Sequence, residues 1–490
     1  MGPPGPAAGP AHPGRRGLPR GSGSVPRSPD HRVRKHRRGP GRPPRGDRRG
    51  APRPGSGQGV RGHPHRCLRW ARGSTLRGAI PGDVTTARRA PAAAGPARAR
   101  PWVSIVTAVH DVEPYLPAFM ASIDAQRFDP RRIEIVAVDD GSTDRSRAIL
   151  EDWAGRRAGV RVLSKPNGGQ ASARNLGLRH ATGEWVTFTD PDDMLEPDFL
   201  AVAERFAAAQ PDVELLAGKP VLLLEDVGRV SDSHPRRKQY RAGTRRVDLD
   251  REPNTFPGSA TVSLYRRARI EELGLRFDER VRPNFEDGHF AVHYLLGLPA
   301  PVVALLREAR YVYRKRAAGN STLARSLGDP GRYSAVFEHG YLEVLDAARV
   351  RYGRIPPWLQ QVLVYELSWY LSDDEKITTA IRIDDDLVPR FHELFRSVVR
   401  QLDPDVVGGH RVRRLKPVWI DILSHAGDTE PWHAPRAVRA KVDPEMGLQR
   451  ISYRYLGRPP VEEFRAGGGR VEPAFAKHAA RIYYRAAMLH

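Results

Sequence analysis

Residues 184–195 read EWVTFTDPDDML, and this stretch decides the predicted fold. Its first six residues alternate bulky or β-branched side chains with smaller polar ones, which favours an extended strand over 184–189. Asp190, Asp192 and Asp193 follow the strand and flank a proline. The sequence therefore predicts a strand that ends in a group of carboxylates.

Three carboxylates within four residues repel one another unless a positive charge lies among them. Mg²⁺ or Mn²⁺ would meet that need, because each takes oxygen ligands from one or two protein carboxylates and completes its shell with water and substrate phosphates. The alternative is a solvated, Asp-rich turn that caps a helix beginning near Glu196, since Asp and Pro are ordinary turn and cap residues. Both interpretations stay open for this stretch alone.

The residues before this stretch repeat one order of strand, polar loop and helix. Strands are predicted at 103–109, 133–138, 160–163 and 184–189, and helices at 115–126, up to about 153, and up to about 180. Such alternation indicates an α/β fold with a mostly parallel sheet, wound like a nucleotide-binding domain.

Three of the four loops at the carboxyl edge of this predicted sheet carry polar groups, and ligands bind at that edge. The second strand ends at Asp139 and Asp140, and the third leads to Asn167 with Arg174 further along. The fourth ends at the three acids named above. Each loop alone could be a turn or a helix cap. Together they predict one site with acids for a metal, an acceptor for a base N–H and a guanidinium for negative charge.

A second acidic pair lies in the sequence FEDG at 285–288. The apolar run 289–296 has helical spacing, so Glu286 and Asp287 would lie at a helix N-terminus, where the helix dipole favours acids. Simple capping is therefore one explanation for this pair. His289 and His293 are four residues apart on the same helix, as zinc ligands can be, but no third ligand lies nearby in the sequence, so we interpret them as packing residues.

Five motifs, in this order, resemble the family 2 glycosyltransferases of GT-A fold. They are VSIVTAVHDVEPYL at 103–116, VDDGSTD at 138–144, PNGGQASARNLGL at 166–178, ATGEWVTFTDPDDML at 181–195 and NFEDGHF at 284–290. The resemblance covers roughly residues 102–323. It implies a metal-dependent enzyme that moves a sugar, with inversion, from a nucleotide sugar (usually a UDP-sugar) to an acceptor hydroxyl.

The resemblance also implies roles for individual residues. Thr107 and Val109 would lie along the nucleobase of the donor. Asp140, beside Asp139, would accept a hydrogen bond from the imide N–H of the base. Asn167 and Arg174 would contact the nucleotide and its phosphates. Asp190 would hold the ribose or the sugar. Asp192 would ligate Mn²⁺ or Mg²⁺ with Asp190 and Asp193 in support. A strand that ends in Arg314, Lys315 and Arg316 could clamp the diphosphate, and a solvated basic loop is the alternative for these residues.

The general base is assigned by the same resemblance to the acidic pair, with Asp287 preferred over Glu286. An acceptor alcohol must lose its proton as it attacks the anomeric carbon opposite the leaving phosphate, so one face needs a base and the other a cation. A single in-line displacement of this kind inverts the anomeric centre.

Beyond residue 330 the pattern changes. Apolar residues at three- and four-residue spacing predict helices in 332–350, 357–371 and 386–402, and short β-like pieces follow at 437–442 and 450–456. The predicted core of this last part contains Trp419, Trp432, Ile451, Tyr453 and Tyr455.

The predicted domains are a tail (1–100), the glycosyltransferase domain (101–328), a helical region (329–404) and a small C-terminal domain with β-structure (405–490). This part resembles segments that follow family 2 domains in enzymes of teichoic acid type.

The first hundred residues carry nearly all of the formal net charge of +23, with 23 Lys and Arg against three Asp and no Glu. Rich in Pro and Gly and poor in apolar residues, this segment is predicted to be disordered. It could bind an anionic polymer by charge, but its one aromatic residue, Trp70, gives no basis for specific nucleic-acid binding.

Cys67 is the only cysteine, so a disulfide framework is excluded and a reducing compartment is indicated.

We therefore expect a cytoplasmic enzyme, with peripheral contact to the inner face of the plasma membrane left open. The expected acceptor is a bacterial surface polymer, either a polyol phosphate such as wall teichoic acid or a capsule or exopolysaccharide. A non-enzymatic protein that binds anionic polymers or nucleic acid through its tail is the alternative of a different class. The sequence does not predict the oligomeric state.

Overall fold

The computed structural model describes residues 100–319, 322–376, 384–478, 481–484 and 486–489. The segment 1–99, predicted to be disordered, lies outside the described residues. The fold described below therefore starts at Arg100.

The first half of the main sheet is parallel. Its strands lie side by side in the order β3-β2-β1-β4 and are β1 (Val103–Val109), β2 (Ile133–Asp139), β3 (Val160–Ser164) and β4 (Trp185–Phe188). The connecting helices are α1 (Leu116–Asp124), α2 (Ser146–Arg156) and α3 (Gln170–His180). Every residue of β1 and β2 is buried, as expected for apolar strands of a parallel sheet covered on both faces. These elements match the predicted strands and helices to within a few residues.

The second half of the sheet is mixed. β9 (Ser263–Arg266) lies antiparallel between β4 and β6 (Leu215–Leu224), and the long β10 (Val302–Lys315) is parallel to β6. The remaining elements of this half are β5 (Met194–Leu195), α4 (Phe199–Ala209), β7 (Arg229–Ser231), β8 (Arg245–Asp248), α5 (Arg267–Glu272) and α6 (Glu286–Gly297). The sheet is therefore of GT-A type, parallel in its first four strands and mixed as a whole.

Close packing of α3 on the sheet brings its polar residues to the carboxyl edge. A Cβ atom on Gly177 would lie 2.4 Å from Cγ1 of Val106 on β1, so a larger residue would push the helix away. The helix therefore holds Arg174, one turn earlier, directly against the loop that follows β4.

A helical region follows the sheet and shares its core. It contains α7 (Thr322–Ser326), α8 (Glu343–Tyr352), α9 (Pro357–Asp374), α10 (Leu387–Val399), α11 (Pro404–Gly408) and α12 (Pro417–His425). Phe285, which precedes α6, contacts Tyr341, with ring centroids 4.7 Å apart, and Phe256 faces Tyr365. The predicted boundary at 404/405 falls where α11 begins, and both α11 and α12 pack against α9. The domain limits themselves remain predictions.

The C-terminal part consists of two-stranded antiparallel pairs. They are built from β11 (Trp432–His433) with β14 (Tyr455–Leu456), β12 (Val438–Asp443) with β13 (Leu448–Ser452), β15 (Phe464–Ala466) with β16 (Gly469–Val471), and β17 (Arg481–Tyr483) with β18 (Ala486–Leu489). Two-stranded ribbons leave most of their surface in solvent. The predicted core is accordingly right for Trp419 and Tyr455, which are buried, and wrong for Ile451, which is 42% exposed. Trp432 and Tyr453 are only partly buried.

None of the described helices combines the length and the apolar composition that crossing a bilayer requires.

Candidate functional site

A cleft of about 650 Å³ opens at the carboxyl edge of the sheet. Its walls come from the loops after β1 to β4, from the segment before α6 and from the end of β10. Eight predicted site residues line it: Val109, Asp140, Asn167, Arg174, Asp190, Asp192, Glu286 and Asp287. The other four, Thr107, Asp139, Asp193 and Arg314, lie outside its lining.

Asp140 organises the loop that follows β3. Its carboxylate accepts hydrogen bonds from Lys165 Nζ at 2.6 Å and from the backbone N–H groups of Gly168 and Gly169 at 3.0 and 2.7 Å. Because a carboxylate has about four acceptor positions, one position remains for a ligand N–H. Asn167, at the head of the same loop, is exposed on the cleft and lies 3.1 Å from the His110 ring.

Thr107 and Asp139 lie at this edge of the sheet but are buried outside the cleft lining. Thr107 is fully buried in β1, and its hydroxyl has no hydrogen-bond partner within the described residues. Asp139 is buried and accepts a hydrogen bond from the N–H of Ser142 at 3.1 Å, which closes the turn after β2.

Arg174 joins two acids that are far apart in the sequence. Its guanidinium is buried and donates to Asp190 at 2.7 Å and to Glu286 at 2.8 Å, and it lies over the Phe277 ring. The loop after β4 and the start of α6 are therefore held together by one side chain. In this arrangement both terminal nitrogens of Arg174 are engaged by protein acids.

The three acids after β4 have different surroundings. Asp190 also accepts from Gln170 at 2.8 Å, and burial raises its pKa to about 6 although Arg174 opposes the shift. Asp193 is fully buried and accepts from the N–H of Arg314 at 2.7 Å, and burial raises its pKa well above the usual range. Asp192 reaches the cleft and pairs with Arg316 at 2.8 Å.

Two basic residues at the end of β10, Arg314 and Arg316, make different contacts. Arg314 donates to the carbonyl of Asp192 at 2.8 Å and to Glu225 at 3.0 Å, outside the cleft lining. Arg316 lines the cleft and lies over the Tyr115 ring. The structure thus places Arg316, and not Arg314, on the surface that a diphosphate could reach.

A hard divalent cation fits the donor set at this edge. Asp190 and Asp192 offer carboxylate oxygens on the cleft wall, and Mg²⁺ or Mn²⁺ needs only one or two such ligands when a substrate supplies phosphates. Asp193, buried behind them, can support the loop but is not on the wall.

The acidic pair at the start of α6 is set by a strained residue and a glycine. Phe285 precedes the helix with φ of 75°, and a Cβ on Gly288 would lie 2.6 Å from the Phe285 ring. Burial raises the pKa of Glu286 to about 7, and its Oε1 is engaged by Arg174. Asp287 is half-buried, accepts hydrogen bonds from the Ser259 hydroxyl and from the Gly288 N–H, and faces the cleft. Asp287 is therefore the acid of the pair without a guanidinium partner among the described residues.

Two residues of the cleft wall, and one acid whose pKa responds to Asp287, were missed in the sequence. The segment 231–241 contains a 3₁₀ helix (Pro235–Tyr240) that buries Arg236 on the cleft wall with 6% exposure. Within the described residues Arg236 makes no ion pair, and its Nε atom has no partner. Ser259 holds Asp287, and Glu366 on α9 has a pKa raised to about 7 by burial and by the charge of Asp287. No local pattern marks any of the three, because each gains its place through contacts with distant segments.

Residues 104–274 match the family model described as "Glycosyl transferase family 2". The chain carries a family 2 glycosyltransferase domain. It is 27% identical over 306 residues to the "Minor teichoic acid biosynthesis protein GgaB" of Bacillus subtilis, covering 62% of this chain and 33% of that protein. It is 25% identical over 308 residues to GgaA of the same organism, described by the same words, covering 62% of this chain and 67% of that protein.

The chain thus spans about a third of the length of GgaB and two thirds of that of GgaA. Among solved structures it is similar to residues 1–349 of S. aureus TarS, crystallised with UDP-GlcNAc, with a TM-score of 0.50 and 21% identity. That match covers 63% of this chain and 83% of TarS 1–349, and it shows the shared fold.

Proposed function

We propose that this glycosyltransferase moves a sugar from a UDP-sugar, with inversion, to a hydroxyl of a bacterial surface polymer that contains polyol phosphate. The observation that carries the proposal is the placement of Asp192 and Asp287 on one cleft, although 95 positions separate them in the sequence. Asp192 is suited to bind a cation at the leaving diphosphate, and Asp287 is suited to act as the base at the incoming hydroxyl. The reaction is proposed to occur in the cytoplasm, where nucleotide sugars are made.

Asp287 is the proposed general base. Two neighbours, the Ser259 hydroxyl and the Gly288 N–H, donate to its two oxygens and fix the direction of the carboxylate. A carboxylate oxygen retains a further lone pair with which to take the proton of an acceptor alcohol. Glu286 is less suited to this task, because Arg174 engages its Oε1.

The donor is proposed to bind across the first four loops. Asp190 and Asp192 would hold Mn²⁺ or Mg²⁺, which when bound supplies positive charge to the leaving diphosphate. Asp140 has one acceptor position left for a uracil N–H, and Asn167 lies exposed beside it. The complex of TarS with UDP-GlcNAc supports a donor of this class.

The acceptor is proposed to carry phosphate because of Arg236. A buried guanidinium without an ion-pair partner among the described residues is costly unless an anion reaches it. It lines the same cleft as Asp287 and Ser259, so it is placed to meet a phosphate of the polymer next to the reacting hydroxyl. The similarity to two proteins of teichoic acid biosynthesis supports the same class of acceptor over a neutral capsule polysaccharide.

The reaction class is tested by release of UDP from a panel of UDP-sugars with Mn²⁺ or EDTA, in the presence of polyol-phosphate polymer. We expect turnover of one donor, loss of activity with EDTA, and a reduction of at least about 100-fold in Asp287→Asn and in Asp192→Ala. Asp152→Asn, an exposed acid on α2, serves as the control and should keep full activity. Undiminished transfer by folded Asp287→Asn would exclude the proposed base.

The acceptor class is tested separately with Arg236→Gln. We expect a KM for polyol-phosphate acceptor raised about tenfold or more, with an unchanged KM for the donor, because a charge-assisted contact to phosphate is lost. Lys238→Gln, an exposed residue two positions later, is the matched control. Equal effects of Arg236→Gln on a neutral acceptor and on the phosphate polymer would contradict a phosphate contact.

A further inference from the structure

A second group of His and acidic side chains surrounds α6, and none of its members lines the cleft. Asp278, His289 and Glu343 each bring one potential ligand atom to within 4.8 Å of the others. In the described part of the chain this is the only group of three or more His, Cys, Asp or Glu residues with such spacing. We propose that it is a structural divalent metal site, with Zn²⁺ the best match to its imidazole and carboxylate ligands.

His293 is not one of the three members but contacts one of them, His289. It follows His289 by one helical turn on α6, and the Nε2 atoms of the two rings are 3.1 Å apart. Two nitrogens at Zn–N distances of 2.0–2.1 Å in a tetrahedral site are separated by about 3.3 Å. The two imidazoles therefore already have the spacing of a tetrahedral edge. Alternatively, His293 can accept from His289 and orient it as a ligand through Nδ1.

His289 is a buried side chain that offers a ring nitrogen to the group. It is 5% exposed, so its ring lies in the protein interior. Its Nδ1 atom is buried and has no hydrogen-bond partner within the described residues. A buried ring nitrogen without a partner is costly in a purely structural histidine, and coordination would satisfy it.

The two carboxylates of the group share one guanidinium as counter-charge. Arg280 donates to Asp278 at 2.5 Å and to Glu343 at 3.0 Å, and His339 lies 3.2 Å from the other oxygen of Glu343. The Arg280 side chain is 56% exposed, so it can withdraw into solvent when a cation takes its place. The competing explanation is a network of ion pairs alone.

The site would join two parts of the fold. His289 and His293 belong to α6, whose first two residues are Glu286 and Asp287, and Glu343 begins α8 in the helical region. A metal ion bound by both helices would stabilise their contact and hold the start of α6 in place. This inference does not depend on the proposed reaction, since binding can be measured without substrate.

The test uses the full chain with Asp192→Ala, which removes the proposed cleft site, after removal of metal by a chelator. Zn²⁺ binding is titrated, and Co²⁺ is added as a spectroscopic probe. We expect one equivalent of Zn²⁺ that raises the Tm by several degrees, and the intense visible bands of tetrahedral Co²⁺. Glu343→Gln and His293→Gln should each abolish the Tm rise and weaken the bands.

Glu338→Gln, an acid in the preceding turn that pairs with Arg390, is the matched control and should keep both signals. Retention of both signals in folded Glu343→Gln and His293→Gln would overturn the proposal and assign the metal to other histidines or to Cys67. The absence of any Zn²⁺ effect in the parent protein would also overturn it, leaving an ion-pair network only. The two variants are independent, so misfolding of one does not prevent the test.

Discussion

Arg174 shows how much of the site depends on single side chains. Its two terminal nitrogens neutralise Asp190 and Glu286, which come from the loop after β4 and from α6. Both acids are mostly buried and have raised pKa values, so the guanidinium compensates charges that are poorly solvated.

Replacing this guanidinium should destabilise the protein. Arg174→Met keeps much of the volume but leaves two enclosed acids without their partner, and we expect the free energy of unfolding to fall by about 3–5 kcal/mol. Urea denaturation followed by circular dichroism measures the change. Arg179→Met, an exposed arginine on the same helix, should change stability by less than about 0.5 kcal/mol. Similar stability of both variants would show that Arg174 acts on substrate alone.

Glu366 predicts a dependence of stability on pH. Its pKa of about 7 in the folded protein lies above that of the unfolded chain, so the folded state binds the proton more tightly. Its contribution to the free energy of unfolding is full below about pH 4.5 and is lost as the pH rises through about 7. Glu366→Gln should therefore be more stable than the parent at pH 8, by about 1–3 kcal/mol, and similar to it at pH 4.5. Denaturation at both pH values is the measurement, with the exposed Glu393→Gln as control.

At the scale of elements, the start of α6 is the part of the site with the least freedom. Phe285 is in a left-handed conformation, its ring packs on Tyr341, and Gly288 leaves only enough room for that ring. The position of Asp287 therefore depends on the packing of the turn in which it lies.

Gly288→Ala should disturb that turn. The added Cβ would lie 2.6 Å from the Phe285 ring, so the ring or the helix start must shift, and we expect a loss of about 1–3 kcal/mol and at least a tenfold lower kcat. Thermal unfolding and UDP release measure the two effects. Gly155→Ala in α2 meets no atom within 4 Å and should raise stability by about 0.5–1 kcal/mol. An active, stable Gly288→Ala variant would show that the start of α6 tolerates movement.

At the scale of the whole molecule, the charge and the candidate site lie in different segments. Residues 1–100 carry 23 basic and three acidic residues, whereas all of the cleft residues lie between 108 and 329. The described structure begins at Arg100, whose Nε donates to the carbonyl of Thr182 at 2.9 Å. The catalytic activity is therefore expected to belong to residues 100–490.

Deleting residues 1–99 should leave kcat and the KM for the donor within about twofold of the full chain. Binding to anionic polymer should weaken, most at low salt, because the deleted segment carries nearly all of the net charge. UDP release and a polymer-binding titration at two salt concentrations measure both effects. The non-enzymatic alternative would be favoured if the full chain transferred no sugar and the deletion abolished its binding to polymer.

The sequence by itself determined the first half of the fold and most of the cleft. The β-branched, apolar runs 103–109 and 133–138 favour buried strands, and parallel strands that alternate with helices place their carboxyl ends at one edge of the sheet. Local patterns therefore placed Asp140, after β2, and Asp190 and Asp192, after β4, at the same edge. The apolar periodicity of α6 placed Glu286 and Asp287 at the start of that helix, whereas their role as general base was implied only by the family resemblance.

Only the tertiary structure decided which of these side chains face the cleft and which are engaged elsewhere. The pairing of Arg174 with Glu286, the burial of Asp193 and the place of Arg236 depend on segments that the sequence separates widely. His289 on α6 meets acids from a loop and from α8 for the same reason. Periodicity is a local property of the chain, whereas burial, charge pairing and ligand geometry arise from contacts between distant residues, which no local pattern records.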